Sequence, residues 1–430
     1  MASFPNEAGR QAGPLRSPMM LDDLLSDLLW PKLLRAPVLA LSPSRVILAA
    51  FSVLIGALVI SLAGSLEAAL GWGRSEESVA RLSRVTGVLL SLPDWASPRG
   101  FGAAWVSAAL ELPGASVRAH PLISTAGALV MVVLWCIGGG AISRSVVCEL
   151  GGDARCTWTQ ALGMSLSRAP SSISAMLFPL VLVALLAVLG ALGGLVLLRA
   201  PGLNLLGSVL YGGFVLVGFL AVTVLVLYAV GHVMLVPAVM ADGSDAIDAI
   251  QRAYAYVLGR PARYAVYAVL AIVQGLVVVG IAGALVWGAT TFTTHTTGRL
   301  AGESGRTAIM QAQAAAQGGD QAERLVLHDA AVRQAIAEAQ PLPTERDARP
   351  SRLRTFAWGA RVIELWILVP MLLLSGFIVS YIHSASSVVY LLMRRLSDGQ
   401  DIAEIWKPRE PGEESAGADR TVSEAVGDAD

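Results

Sequence analysis

An all-α integral membrane protein with six transmembrane helices is the fold class this sequence predicts, and three observations predict it. Hydrophobic residues make up 55% of the 430-residue chain against 15% charged, at a mean hydropathy of +0.63. Six apolar runs each exceed the ~20 residues that a helix needs to cross a ~30 Å hydrocarbon core. Between them lie short polar, helix-capable segments that suit interfacial amphipathic helices. The balance of 31 Lys and Arg against 32 Asp and Glu, with no basic stripe interleaved with aromatics, predicts no nucleic-acid partner.

Residues 1–45 read as a cytoplasmic segment without a cleavable signal peptide. Within it Leu21–Leu34 carries leucines at helical spacing, acids at its start and Lys32 and Arg35 after, a candidate interfacial helix interrupted by Pro31. Residues 46–292 hold the first five spans. Val46–Leu66 is 21 residues without a charge, about 31 Å as a helix. Glu67–His120, with Trp72, Trp95 and Trp105, is too polar to cross and is expected along the outer surface. Pro121–Ser143 is the second span, with Arg144 marking its exit. Ser171–Leu198 and Leu205–Met240 are the third and fourth, joined as an antiparallel hairpin by Arg199–Gly202. The fourth is longer than one crossing, so it tilts or runs into the interface. Tyr264–Phe292 is the fifth.

Residues 293–361 form an extracytoplasmic loop. Asp320 and Glu323 have capping-box spacing, and Gly318-Gly319 separates two helical stretches, so a helical hairpin is expected there. Residues 362–395 contain the sixth span, Leu365–Met393, and residues 396–430 an acidic cytoplasmic tail. Lys and Arg near the span ends favour both termini on the cytoplasmic side of a bacterial plasma membrane.

The most informative polar segment is Asp242–Pro261, DGSDAIDAIQRAYAYVLGRP. Asp245 suits an N-cap with Asp248 three residues on, Gly259 a left-handed C-terminal position, and Pro261 a stop. Ile247, Ile250, Tyr254, Val257 and Leu258 fall on one stripe, with Asp248, Gln251 and Arg252 opposite, so the helix is expected to lie in the interface plane. The segment has echoes. Asp242–Asp248 (DGSDAID) matches Asp398–Glu404 (DGQDIAE), and Gly151–Ala154 starts a comparable piece. Leu34–Pro37 (LRAP), Leu166–Pro170 (LSRAP) and Leu258–Pro261 (LGRP) match at the re-entry points. Three parallel units explain this; so does convergence of short connectors on Gly, Asp, Arg and Pro.

Ionisable and strongly polar groups inside spans are costly and hence candidate functional positions. They are His232, Gln274, His383 and Glu364, the last at i+3 from Arg361 and expected to pair with it. Asp242, Asp245, Asp248, Arg252, Tyr254, Arg260 and Arg144 are candidate interface positions. The three aspartates also have a calcium-loop spacing, but the distal Glu is missing and capping accounts for them better. No metalloprotease, nucleophile-elbow or phosphate-loop motif occurs, so no catalytic, cofactor or metal residue is assigned. Cys136, Cys148 and Cys156 read as free thiols. Gly138-Gly139-Gly140 and Gly212-Gly213 suit close helix packing.

GGGAISRSVVCEL (Gly138–Leu150) together with DGSDAIDAIQRAYAYVLGRP resembles a family of uncharacterised bacterial polytopic membrane proteins, which carry a similar (E/D)GSDAxDAIxRxxxYVxxRP segment between spans. The resemblance covers roughly the second to sixth spans, with Asp242 at the position where the family often has Glu. More loosely the chain looks like the integral-membrane domains found beside some phosphodiesterases. Neither likeness implies an activity. Two functions stay open: a non-enzymatic membrane organiser that binds lipid or a cytoplasmic or membrane partner, and a permease subunit whose interspan helices dock a cytoplasmic protein.

Overall fold

The computed structural model describes residues 30–71, 112–151, 156–199, 201–301, 305–306, 308–310, 312–313 and 350–406. Among these there is no strand, and six helices are long and apolar enough to cross a membrane. Two short helices, α1 (Trp30–Leu33) and α2 (Ala36–Ala40), lead into the first span, α3 (Pro43–Leu70). After α4 (Leu112–Ala119) the second span is α5 (Pro121–Gly151), followed by α6 (Trp158–Ser167) and the third span α7 (Ala169–Gly193). A short π-helical turn, Gly194–Leu198, and α8 (Leu203–Val209) precede the fourth span, α9 (Tyr211–Asp242). Then come α10 (Ala246–Gly259), α11 (Pro261–Leu300) and α12 (Pro350–Asp398).

The long fourth apolar run is resolved by a break rather than by one tilted rod. It divides at Leu210 into α8 and α9, with Gly202 at φ 90° turning the chain out of the hairpin. The second run overshoots its expected end, since Arg144 lies inside α5 and the helix continues to Gly151. Most of the expected outer hairpin at 303–336, most of the loop at 67–120, the leucine-rich stretch before Trp30 and the tail after Trp406 lie outside the described residues.

α12 is the organising span, packing on α2, α3, α5, α9 and α11. α7 pairs with α9, and α6 lies on α5. Burial is concentrated at one end. Leu33, Ala36 and Ala40, Val146 and Val147, Met234–Val236 and Ala238–Ala241, Ala249, Ala253, Tyr256 and Val257, Tyr267 and Val388–Met393 form one continuous core. Towards the other end the spans expose apolar faces, Phe178, Leu185, Leu216, Phe219, Leu276 and Leu285 among them. Surfaces of that size suit hydrocarbon surroundings rather than water.

Close approach at the buried end depends on small residues. A methyl at Gly376 would come within 2.7 Å of the Ala50 amide nitrogen and the Val46 carbonyl oxygen, so α12 and α3 meet backbone to backbone there. Gly138 faces Ser52, Gly139 faces His383 and Gly140 faces Ser165. Gly212 and Gly213 do not share this role, because nothing lies within 4 Å of a methyl at either.

α3 is pinned to the following helices at both ends. Arg45 donates to the Ser145 hydroxyl (3.0 Å) and to the Leu39 carbonyl (2.6 Å), and pairs with Glu149. Near the far end Glu67, buried, accepts from the Ile123 amide at 2.7 Å and lies 3.2 Å from His120.

Candidate functional site

The repeated Asp-Gly and Arg-Pro pieces have a local physical basis. α9 and α12 both end on the Asp of an Asp-Gly pair, and Gly243 (φ 62°) and Gly399 (φ 72°) adopt the left-handed conformation that stops them. α2, α7 and α11 each begin after an arginine, Arg35, Arg168 and Arg260, with proline in the first two positions. Proline fits there because its missing N–H has no helical acceptor at that point.

These ends converge on Asp242. Its carboxylate accepts from Arg252 Nη1 at 3.1 Å, from the Tyr390 hydroxyl and from Arg394 Nη1. Arg394 is only 2% exposed, so the pair is withdrawn from solvent. Arg252 also donates through Nε to Asp248 at 3.0 Å, one turn away on α10. That hydrogen bond, followed by the nearby Asp242 charge, holds the guanidinium still more firmly protonated than an ordinary arginine. Across from this group Tyr256 donates to Asp398, and the Tyr256 and Tyr390 rings lie 5.7 Å apart. Each Asp of an Asp-Gly pair therefore takes a tyrosine from the other unit's neighbourhood.

The segment after α12 folds back over this cluster. Arg394 Nη2 donates to the carbonyls of Asp401 (3.1 Å) and Glu404 (2.6 Å). Arg144 bridges α9 to the same segment, donating to the carbonyls of Met240 (2.9 Å) and Trp406 (2.8 Å). The Trp406 amide donates to the Ala241 carbonyl at 3.0 Å. Met240 and Ala241 are among the last carbonyls of α9, which have no helical donor, so the arrangement satisfies groups a buried helix end cannot leave bare. The Trp406 ring lies under the Arg168 guanidinium, 4.7 Å to centroid, and against Gly243, where a methyl would overlap the indole. Gly243 is thus constrained twice, by its φ and by the ring. Ile402 is buried, and a methyl at Gly151 would press on the Ile402 carbonyl and Ile405.

Several expectations for α10 need correction. Asp245 occupies the N-cap with extended backbone but makes no side-chain capping bond, and Asp248 turns to Arg252. Gly259 is the last helical residue, and the chain turns at Arg260 (φ −140°, ψ 61°). The buried face is Ala249, Ala253, Tyr256 and Val257, packed on α7 and α9, whereas Ile247 and Leu258 are 60% and 62% exposed. Tyr254 packs against Gly231 of α9, its hydroxyl buried without a partner and pushed up to about 12, by burial first and then by Tyr228.

The intramembrane candidates do not converge. His232 places Nδ1 3.2 Å and 3.1 Å from the Tyr228 and Ala229 carbonyls of its own helix. Gln274 lies 3.4 Å from the Tyr381 hydroxyl, which donates mainly to the Ala271 carbonyl at 2.6 Å. Arg361 sits over the Trp358 ring, 5.7 Å to centroid, and no ion pair joins it to Glu364. His383 is fully buried, 4.4 Å from the Trp135 ring, with both ring nitrogens unpartnered. Residue-by-residue reading missed Tyr390, Arg394, Trp406, Arg45 and Glu67. The Asp398 echo was the available signal for the first three.

The cluster has a readable pH dependence. Burial first, then the Asp398 carboxylate it donates to, raise the Tyr256 hydroxyl above the ordinary tyrosine range. In the unfolded chain it ionises near pH 10. The neutral form is the one the fold favours, so this contribution is complete below about pH 10 and falls as pH rises past that value. Denaturation midpoints in detergent should therefore hold level to about pH 10 and drop above it, and Tyr256→Phe should flatten the drop; an equal slope in the variant would refute the assignment.

Compared with known proteins, the chain matches no family model, no curated protein and no solved structure.

Proposed function

We propose that the chain is a non-enzymatic membrane organiser of a bacterial plasma membrane, with residues 242–263 and both termini on the cytoplasmic side. In this reading α10 lies at the headgroup level and offers its exposed side, including Ile247, Gln251 and Leu258, to lipid or to a protein partner. The observation that carries it is the Asp242 cluster. Two buried arginines, Arg144 of α5 and Arg394 of α12, tie the ends of α9 and α12 and the 399–406 segment into one closed cap across the end of the bundle. A carrier needs an end that opens, and polar groups facing a path. Here the candidate polar groups are separated and turned to their own backbone or to ring faces. The family likeness of the 242–261 segment belongs to this proposal and adds no activity to it.

Cysteine-accessibility labelling tests the reading. With the three native cysteines replaced, single cysteines are placed along α9 and α11 and labelled with a membrane-impermeant maleimide. Midplane positions around residues 225 and 278 are expected to stay unlabelled in intact membranes. A labelled line passing Gln274 and His232 would instead favour the permease subunit. Labelling of residues 242–263 from the outer side would overturn the orientation.

A further inference from the structure

On another wall of the bundle a cavity of about 620 Å³ lies between α9, α11 and α12, within the roughly 300–1,000 Å³ typical of small-molecule sites. Its lining includes Val233, Tyr264, Ala268, Ala271, Val279 and Val389, and is almost wholly apolar. His232 also lines it, with Nδ1 against the Tyr228 and Ala229 carbonyls of its own helix, and the hydroxyls that reach it are already committed. Tyr264 donates to the Val230 carbonyl, Tyr381 to the Ala271 carbonyl and Ser386 to the His383 carbonyl. Water would find few partners there, whereas a hydrocarbon chain would need none. Along α11 the cavity runs from Tyr264 to Val279, about 22 Å of helix, more than the ~15 Å half-thickness of a hydrocarbon core. Its rim carries Ile272 and Leu276, 61% and 70% exposed, so it opens sideways to the bilayer.

The polar mouth is positively charged. Arg260, the residue before α11, accepts at its carbonyl from the Tyr264 amide at 3.0 Å, which sets it at the Tyr264 end of the cavity. It is half-buried and forms no ion pair among the described residues. The first turn of α11 holds no acid. We propose that this cavity holds one acyl chain of an anionic phospholipid, with the lipid phosphate at Arg260. The apolar wall selects the chain, and the uncompensated arginine selects the headgroup. The proposal rests on the multi-pass architecture and goes beyond the organiser reading, which stands on the Asp242 cluster at the end of the bundle.

The test uses the full chain purified in mild detergent and native mass spectrometry after incubation with phosphatidylglycerol or phosphatidylcholine of identical chains. One phosphatidylglycerol should be retained per protein, in about fivefold preference over phosphatidylcholine, the scale of one basic residue at a membrane surface. Arg260→Gln should bring the ratio close to one while lipid is still retained. Ala268→Phe, which sets a ring into the cavity wall and narrows it, should reduce retention of both lipids. Equal retention of the two lipids by the wild type, or undiminished retention in Ala268→Phe, would overturn the proposal. So would a doubled protein mass without lipid, which would give the wall to a second copy of the chain. Because a phenylalanine at 268 can impair folding, photoactivatable-chain phosphatidylglycerol crosslinked to the wild type in membranes provides an independent readout. Label confined to α11 between Tyr264 and Val279 and the facing part of α12 supports the site; label spread over α7 and the outer half of α9 overturns it. Failure of either arm leaves the accessibility pattern of α9 and α11 untouched, so the two readings fail separately.

Discussion

Asp242→Ala is expected to destabilise the folded chain by about 3–5 kcal/mol, the scale seen when one partner of a buried ion pair is removed. The size follows from what is left behind. Arg394 is 2% exposed, so without the carboxylate its guanidinium is left in the interior facing only the carbonyls of Asp401 and Glu404. Tyr390 and Arg252 lose the same acceptor at once. Asp242→Asn should recover part of the hydrogen bonding but none of the charge, and fall between the two. Asp248→Ala provides the contrast: its side chain is 42% exposed and meets Arg252 as an i, i+4 pair, worth about 0.3–0.5 kcal/mol. Denaturant titration in detergent micelles would rank the three. Comparable small losses for Asp242→Ala and Asp248→Ala would mean that the cluster is not what closes this end of the bundle.

That contrast bears on what the sequence makes legible. Six spans could be read directly, because uninterrupted apolar length is a property of local sequence and the bilayer sets its threshold. The Asp-Gly and Arg-Pro signals were equally local, and each marks a helix end in the structure, at Gly243 and Gly399 or after Arg35, Arg168 and Arg260. The buried face of α10 was not legible. In a soluble protein the Ile247–Leu258 stripe would face the core; next to a bilayer an apolar side chain is equally at home facing lipid, and small residues such as Ala249 and Ala253 take the packing face instead. Nor could the cluster be assembled from periodicity. Asp242 and Arg394 are 152 residues apart, and Arg144 and Trp406 are 262 apart. Only the halves were visible: a polar segment with three aspartates, and its Asp398–Glu404 echo after the sixth span. His383 was legible as an oddity inside a span, without any sign that its neighbour would be the middle glycine of Gly138-Gly139-Gly140.

Gly139 and His383 give the second large effect. A methyl on residue 139 would fall within the imidazole ring. That ring has no room to retreat, being 1% exposed and 4.4 Å from the Trp135 ring centroid. Gly139→Ala should therefore cost about 1–3 kcal/mol by overpacking, and Gly139→Leu should prevent α5 and α12 from closing. His383→Ala combines opposing terms. It opens a cavity beside Trp135, but it also removes two buried nitrogens without hydrogen-bond partners, and an unsatisfied buried polar group is worth about 1–3 kcal/mol. Its net effect should accordingly be smaller than that of an apolar truncation of similar volume, such as Leu391→Ala. In the double variant the new methyl enters the space the imidazole has left, so the two changes should be non-additive by at least about 1 kcal/mol in the favourable direction, as expected for residues in direct contact. Thermal unfolding of the four proteins in one detergent measures this coupling. Strict additivity would show that the glycine is needed for helix bending or backbone approach elsewhere, and a rescue would establish that position 139 is glycine because position 383 is histidine.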